Sequence, residues 1–138
     1  MPEQAVSTLK MLLVEPETLL RRTVSLTART LGLGQIHEAA SMPAAERLLR
    51  EQAFHGAVIS IDCSTATERG YDLALLDLVR EGQSSSDAGI PIAVMADHAT
   101  TELLRELRTR DVTRVILKPF RARVLLDAFA EFEAQRKK

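Results

Sequence analysis

Five short apolar runs punctuate the chain, and after each of them apolar positions recur at helical spacing. The first run, Lys10-Met11-Leu12-Leu13-Val14, ends at Glu15-Pro16-Glu17, where Pro16 breaks the strand. Leu20, Val24, Ala28 and Leu31 then form one apolar stripe, stopped by Gly32 and Gly34. Residues 35–40 predict a short second strand. Ser41 suits a helix cap, Pro43 is tolerated in the first turn, and Ala45, Leu48 and Leu49 make a buried face.

The third run, residues 56–61, opens with Gly56, Ala57, Val58 and Ile59. It stops abruptly in Ser60, Asp62, Cys63 and Ser64. A short apolar run with polar bounds predicts a strand buried on both faces. In an open parallel sheet the chemistry lies just past the C-terminal end of such a strand. Residues 62–69 read as a polar loop closed by Gly70. Leu75, Leu78 and Val79 mark a third helix, and residues 81–89, with three serines, read as a flexible connector. Residues 90–95 predict a fourth strand, and Ala96-Asp97-His98-Ala99 the loop after it. Thr100 suits the cap of a fourth helix carrying Leu103, Leu104 and Leu107. Arg114–Leu117 predicts a fifth strand ended by Lys118-Pro119. Leu125, Ala128, Phe129 and Phe132 give a last amphipathic helix.

Strands alternating with helices in this way predict right-handed β-α-β crossovers, a parallel sheet and helices on both of its faces. The pattern gives a tail over residues 1–9, one α/β domain over 10–134 and a basic tail over 135–138. It shows no repeat, no second domain and no long linker.

Composition narrows the function classes. At 138 residues, with 46% hydrophobic and 27% charged, the chain suits one globular domain with a real core. A net charge of −1 argues against DNA binding by the molecule as a whole. Four Phe, one Tyr and no Trp leave little for base stacking. The lone Cys63 excludes an internal disulfide and most zinc frameworks. The N-terminus has no basic flank with an apolar core, and no run approaches the roughly 20 apolar residues of a membrane span. A cytoplasmic setting with no membrane contact is expected.

Three pieces carry a resemblance. Val115-Ile116-Leu117-Lys118-Pro119-Phe120 ends a strand and starts a helix. Leu12-Leu13-Val14-Glu15-Pro16-Glu17 looks like an acidic turn after a first strand. Residues 48–60, L-L-R-E-Q-A-F-H-G-A-V-I-S, run without a gap along a helix-to-strand segment. With them, most of the chain from Lys10 to Phe132 resembles the CheY-like receiver domains of bacterial response regulators. The resemblance implies a (βα)5 flavodoxin-like, doubly wound parallel sheet of strand order 2-1-3-4-5. In that family two acids after strand one hold Mg²⁺, and an aspartate ending strand three accepts a phosphoryl group. A lysine ending strand five contacts the phosphoryl oxygens. A hydroxyl ending strand four and an aromatic in strand five report the change to the outer face.

Carried over residue by residue, the resemblance gives a degenerate phosphorylation pocket of Glu15, Ser60, Asp62, Ala96 and Lys118. Lys118 matches the lysine, and the Pro119 after it implies a cis peptide bond. Glu15 matches the first acid, but Pro16 stands in place of the second. Ser60 falls where the phosphoacceptor belongs, Ala96 replaces the switch hydroxyl and Val115 the switch aromatic. The loop before Gly70 is longer than usual, and Ser64 replaces its proline. Mg²⁺ wants hard oxygen ligands in near-octahedral array, so Glu15 and Asp62 alone imply a weak site or none. No other metal or cofactor is expected, and no catalytic residue. Lys118 is expected to pair with Glu15 or Asp62, and Ser60 to be a small polar filler bonded under the loop. Cys63 reads as an inert thiol, and His37, His55 and His98 as ordinary surface or loop residues.

The final third is rich in base, although Glu102, Glu106, Asp111, Asp127, Glu131 and Glu133 interleave with it. Arg105, Arg108, Arg114, Arg121 and Arg123 fall on the face that the fourth helix, fifth strand and last helix form in the resembled fold. That face commonly makes homodimers or docks partners. The expectation is an atypical, stand-alone, non-enzymatic receiver of a two-component or phosphorelay pathway. Its partner through that face would be a histidine kinase, a phosphotransferase or a downstream effector. One alternative is a working receiver phosphorylated on Asp62. Another is a receiver-like effector whose arginines bind an anionic cyclic dinucleotide.

Overall fold

The structure, a computed structural model, describes residues 9–62, 71–118 and 121–136. The expectations on Cys63, Ser64, the loop up to Gly70, Pro119 and the terminal lysines lie outside these residues. The elements run β1 (Lys10–Val14), α1 (Thr18–Thr30), β2 (Gln35–Ala39), α2 (Met42–Glu51), β3 (Gly56–Ser60), α3 (Ala74–Arg80), β4 (Ile92–Ala96), α4 (Thr101–Thr109), β5 (Arg114–Leu117) and α5 (Ala122–Arg136). All strand pairings are parallel, in the order β2-β1-β3-β4-β5. Both the flavodoxin-like class and the 2-1-3-4-5 order are therefore observed as expected.

β3 and β4 are buried at every position, as a central parallel strand covered on two faces must be. The alternation along each strand divides the core. Leu12, Val14, Ala57, Ile59, Ile92 and Val94 pack with α2, α3 and α4 residues such as Leu49, Leu76, Val79, Leu103 and Leu107. Met11, Leu13, Val58, Ala93 and Met95 pack on the other side with Val24, Leu125, Phe129 and Phe132. Gly56 is where α5 comes closest to the sheet: a Cβ there would lie 2.8 Å from the Phe132 ring and 3.2 Å from Met11 Sδ. Gly34 answers a backbone demand, with φ +118° and a would-be Cβ 2.8 Å from the Leu9 carbonyl oxygen.

The caps follow the sequence. Ser41 accepts from Ala44 N–H, and Thr100 from Leu103 N–H. Several expectations need correction. β4 starts at Ile92 rather than Ile90, because Pro91 has no N–H for a ladder and the Ile90 carbonyl is taken by Arg80 at 2.8 Å. Leu31 and Leu104 are exposed, so the buried stripes are narrower than their apolar spacing suggests. α5 continues through Arg136, into the segment expected to be tail.

The serine-rich connector is pinned rather than flexible. Ser86 Oγ, buried, accepts from Phe54 N–H at 2.8 Å, and Ser85 bonds Leu49 O and Arg50 O through its N–H and hydroxyl. Arg80, the last residue of α3, holds the other side. Its guanidinium donates to the carbonyls of Ala88, Ile90, Arg110 and Asp111 at 2.6 to 3.1 Å. A rigid five-donor fork suits such a cluster of carbonyls at the ends of α3 and α4.

Candidate functional site

The strand ends bring the expected pocket together. Val14 pairs with Ile59, so Glu15 and Ser60 follow one another's neighbours on adjacent strands. Ser60 in turn pairs with Met95, and Ala96 with Leu117, just before Lys118. Ser60 is fully buried and Glu15 is 3% exposed. The backbone thus places Ser60 at the C-terminal end of the central strand, with no shift of register.

The side chains add a network that the pattern does not reveal. Lys118 Nζ donates to Ser60 Oγ at 2.7 Å and to Asp62 Oδ1 at 2.8 Å. The Ser60 hydroxyl donates to the same Asp62 oxygen at 3.0 Å. Asp97 N–H, from the β4–α4 loop, donates to Asp62 Oδ2 at 2.9 Å. Burial alone would raise the Asp62 carboxyl. The lysine hydrogen bond, the Asp97 N–H, the lysine charge and the Ser60 hydroxyl together outweigh it, and hold the group below its ordinary value. Ser60 is buried and hydrogen-bonded, as expected, and the partners it bridges are the lysine and the aspartate.

Glu15 takes a lesser part. Its Oε2 accepts from Glu17 N–H at 2.9 Å, while Oε1 is buried without a hydrogen bond, 4.0 Å from Lys118 Nζ. Of the two partners expected for Lys118, Asp62 is the hydrogen-bonded one. Pro16 brings no side-chain oxygen to this corner. Among the described residues no group of three or more His, Cys, Asp or Glu is placed to hold a metal ion.

Beside the network lies a cleft of about 300 Å³, lined by Asp62, Tyr71, Ala96, Asp97, His98, Thr100, Glu102 and Leu103. Ala96, expected in place of a hydroxyl, leaves its β4 end apolar. The Tyr71 hydroxyl donates to Glu106 Oε2 on α4 at 2.6 Å, tying the start of the α3 segment to the next helix. Nothing in the sequence pattern marked Tyr71 or the Asp97 N–H. Of the histidines, His98 is exposed and His55 lies in the α2–β3 loop, as expected, whereas His37 lies within β2. His55 is half-buried, with Nδ1 accepting from Lys10 N–H at 3.0 Å. His37 stands edge-on to Phe54, and burial first, then the Lys10 charge, lowers its pKa.

The arginines do not form one free set. Arg114, of the expected partner-binding group, is ion-paired with Glu131 of α5 at 3.3 Å. Arg105, Arg108, Arg121 and Arg123 are exposed, and none of them is ion-paired among the described residues. Leu104 of α4 and Leu117 of β5 are 41% and 49% exposed. Val115, expected at the position of the switch aromatic, is half-buried against the core.

Neither a protein-family model nor a curated protein matches the chain. Solved structures do. A CheY-like response regulator receiver domain protein from Methanospirillum hungatei is 17% identical, with TM-score 0.72, over 95% of this chain and 98% of that one. The chemotaxis protein CheY4 of Vibrio cholerae is 21% identical, with TM-score 0.73, over 91% and 99%. The HemR receiver domain of Leptospira biflexa, in a non-phosphorylated form, is 18% identical, with TM-score 0.74, over 92% and 95%. The chain has the fold of CheY-like receiver domains, from end to end of those domains.

Proposed function

We propose that the chain is a receiver-like signalling module without phosphoryl chemistry, acting by binding a protein partner through the α4-β5-α5 face. The observation that carries this reading is the Lys118 ammonium, engaged at 2.7 and 2.8 Å by the chain's own Ser60 and Asp62. Acyl phosphate formation needs a carboxylate, and Ser60 is not one. Serine needs an activating base; the lysine here donates, and an ammonium has no lone pair to receive a proton. One buried carboxylate oxygen 4.0 Å from an ammonium is a poor seat for a divalent cation, so Mg²⁺ binds weakly or not at all. The four exposed arginines with Leu104 and Leu117 suit an acidic, partly apolar protein surface: a kinase, a phosphotransferase, an effector or a second copy. A cytoplasmic site of action fits this role. Among the described residues no helix is long and apolar enough to cross a membrane.

A second reading has its own observation. Asp62 touches Lys118 and lines the cleft, so among the described residues it is the carboxylate placed to replace the missing acceptor. Against it, both Asp62 oxygens already accept hydrogen bonds, and the side chain is only 8% exposed. Intact-mass spectrometry after incubation with Mg²⁺ and acetyl phosphate separates the two. The expected outcome is an unchanged mass. A phosphoryl adduct, absent from Asp62→Asn, would establish the second reading in its place.

A further inference from the structure

α4 rests on the core through one line of side chains. Leu103 and Leu107 are its buried residues, and residues four apart stack along a single line of a helix. Contact along one line lets a helix roll about it. α3 differs, burying Leu75, Leu76, Leu78 and Val79 on a broader face. What stops α4 from rolling is polar. Glu106 and Arg110, also four apart, form the row beside the leucines. Glu106 Oε2 accepts from the hydroxyl of Tyr71, just ahead of α3, at 2.6 Å. Arg110 Nε donates to Asp77 Oδ1 of α3 at 2.7 Å, and its Nη1 donates to Glu106 O at 2.9 Å. Arg80 takes the carbonyls of Arg110 and Asp111 at 2.8 and 3.1 Å. It braces Asp111 at φ +55°, a left-handed conformation that is costly for a residue with a Cβ. Ahead of the helix, Asp62 holds the Asp97 N–H.

We propose that these bonds form a clamp: the α3 segment, with Asp62 in front of it, holds α4 in one position, so the partner face stands ready without a chemical signal. The consequence for partner binding rests on the function proposed above; the clamp itself rests on its own geometry. Glu106 and Arg110 side chains are each 22% exposed, which spares their charge-assisted bonds the screening that cancels a surface pair. The clamp uses the inner row of α4 and leaves Leu104, Arg105 and Arg108 uncovered for a partner.

The test follows backbone motion in the full chain by nitrogen relaxation dispersion and amide hydrogen exchange. The wild type is expected to give flat dispersion over residues 97–109, because a helix with one position has nothing to exchange with. Tyr71→Phe with Asp77→Ala removes both anchors of the row. In that variant α4 amides are expected to exchange at least about tenfold faster, while β3 and β4 amides stay within about twofold. Tyr71→Phe alone carries the same comparison if the double variant does not fold. Arg105→Ala with Arg108→Ala, on the outer face, is expected to leave α4 exchange within about twofold. Dispersion across α4 in the wild type, unchanged exchange in the clamp variants, or a rise shared equally by β3 and β4 overturns the clamp. A phosphoryl adduct in the mass measurement above would sink the proposed function and leave the clamp standing, so the two fail separately.

Discussion

Replacing Arg80 with methionine is expected to lower the unfolding free energy by about 4 kcal/mol. The guanidinium satisfies carbonyls at Ala88, Ile90, Arg110 and Asp111, which belong to two segments, the connector before β4 and the end of α4. Methionine keeps much of the stem's packing and removes every donor. Hydrogen bonds to a charged group contribute about 1.5–3 kcal/mol each, and water recovers part of that at the rim. Arg80→Lys is expected to recover only part of the loss, because a compact ammonium cannot span the four oxygens. Urea denaturation checks both. A loss below about 1 kcal/mol for the methionine variant would mean that solvent serves the carbonyls as well as the side chain does.

Lys118→Met should cost about 3 kcal/mol at neutral pH, because it leaves Glu15 and Asp62 in one corner with no cation. Its pH dependence identifies the cause. The folded Asp62 carboxyl lies below its ordinary value, chiefly because hydrogen bonds override burial. Its contribution is therefore present above the unfolded value, near pH 4, and is lost as pH falls through the depressed folded value. In Lys118→Met the main source of that depression is gone. The gap between wild type and variant should then close in acid, where the Asp62 carboxyl is protonated in both. A gap of constant size from pH 7 to pH 3 would trace the loss to the packing of the lysine stem.

The sheet was legible because each strand is a short apolar run with a sharp polar end, and each crossover helix repeats its apolar residues at helical spacing. The pocket's membership was legible through the resemblance at Glu15, Ser60 and Lys118. Its wiring was not. Lys118 and Asp62 lie 56 positions apart, and no periodicity says which way an aspartate just past a strand turns. Asp62 turns back because an ammonium and the Asp97 N–H both meet it there. The serines of the connector read as flexible because composition cannot tell a solvated hydroxyl from one that closes a backbone gap, as Ser86 does. Arg114 was grouped with the partner-binding arginines, and Arg80 went unmarked, for the same reason: charge is visible in a sequence, and the partner across the fold is not.

Lys118, Ser60 and Asp62 close on one another at the C-terminal sheet edge, where the resemblance to receiver domains implies a phosphoryl site. The most direct test is an amide nuclear magnetic resonance titration with Mg²⁺ and beryllofluoride, a mimic of the bound phosphoryl group. No saturable change is expected at Glu15, Ser60, Asp62, Asp97 or Lys118. Saturable shifts at these amides, dependent on both Mg²⁺ and beryllofluoride, would contradict it.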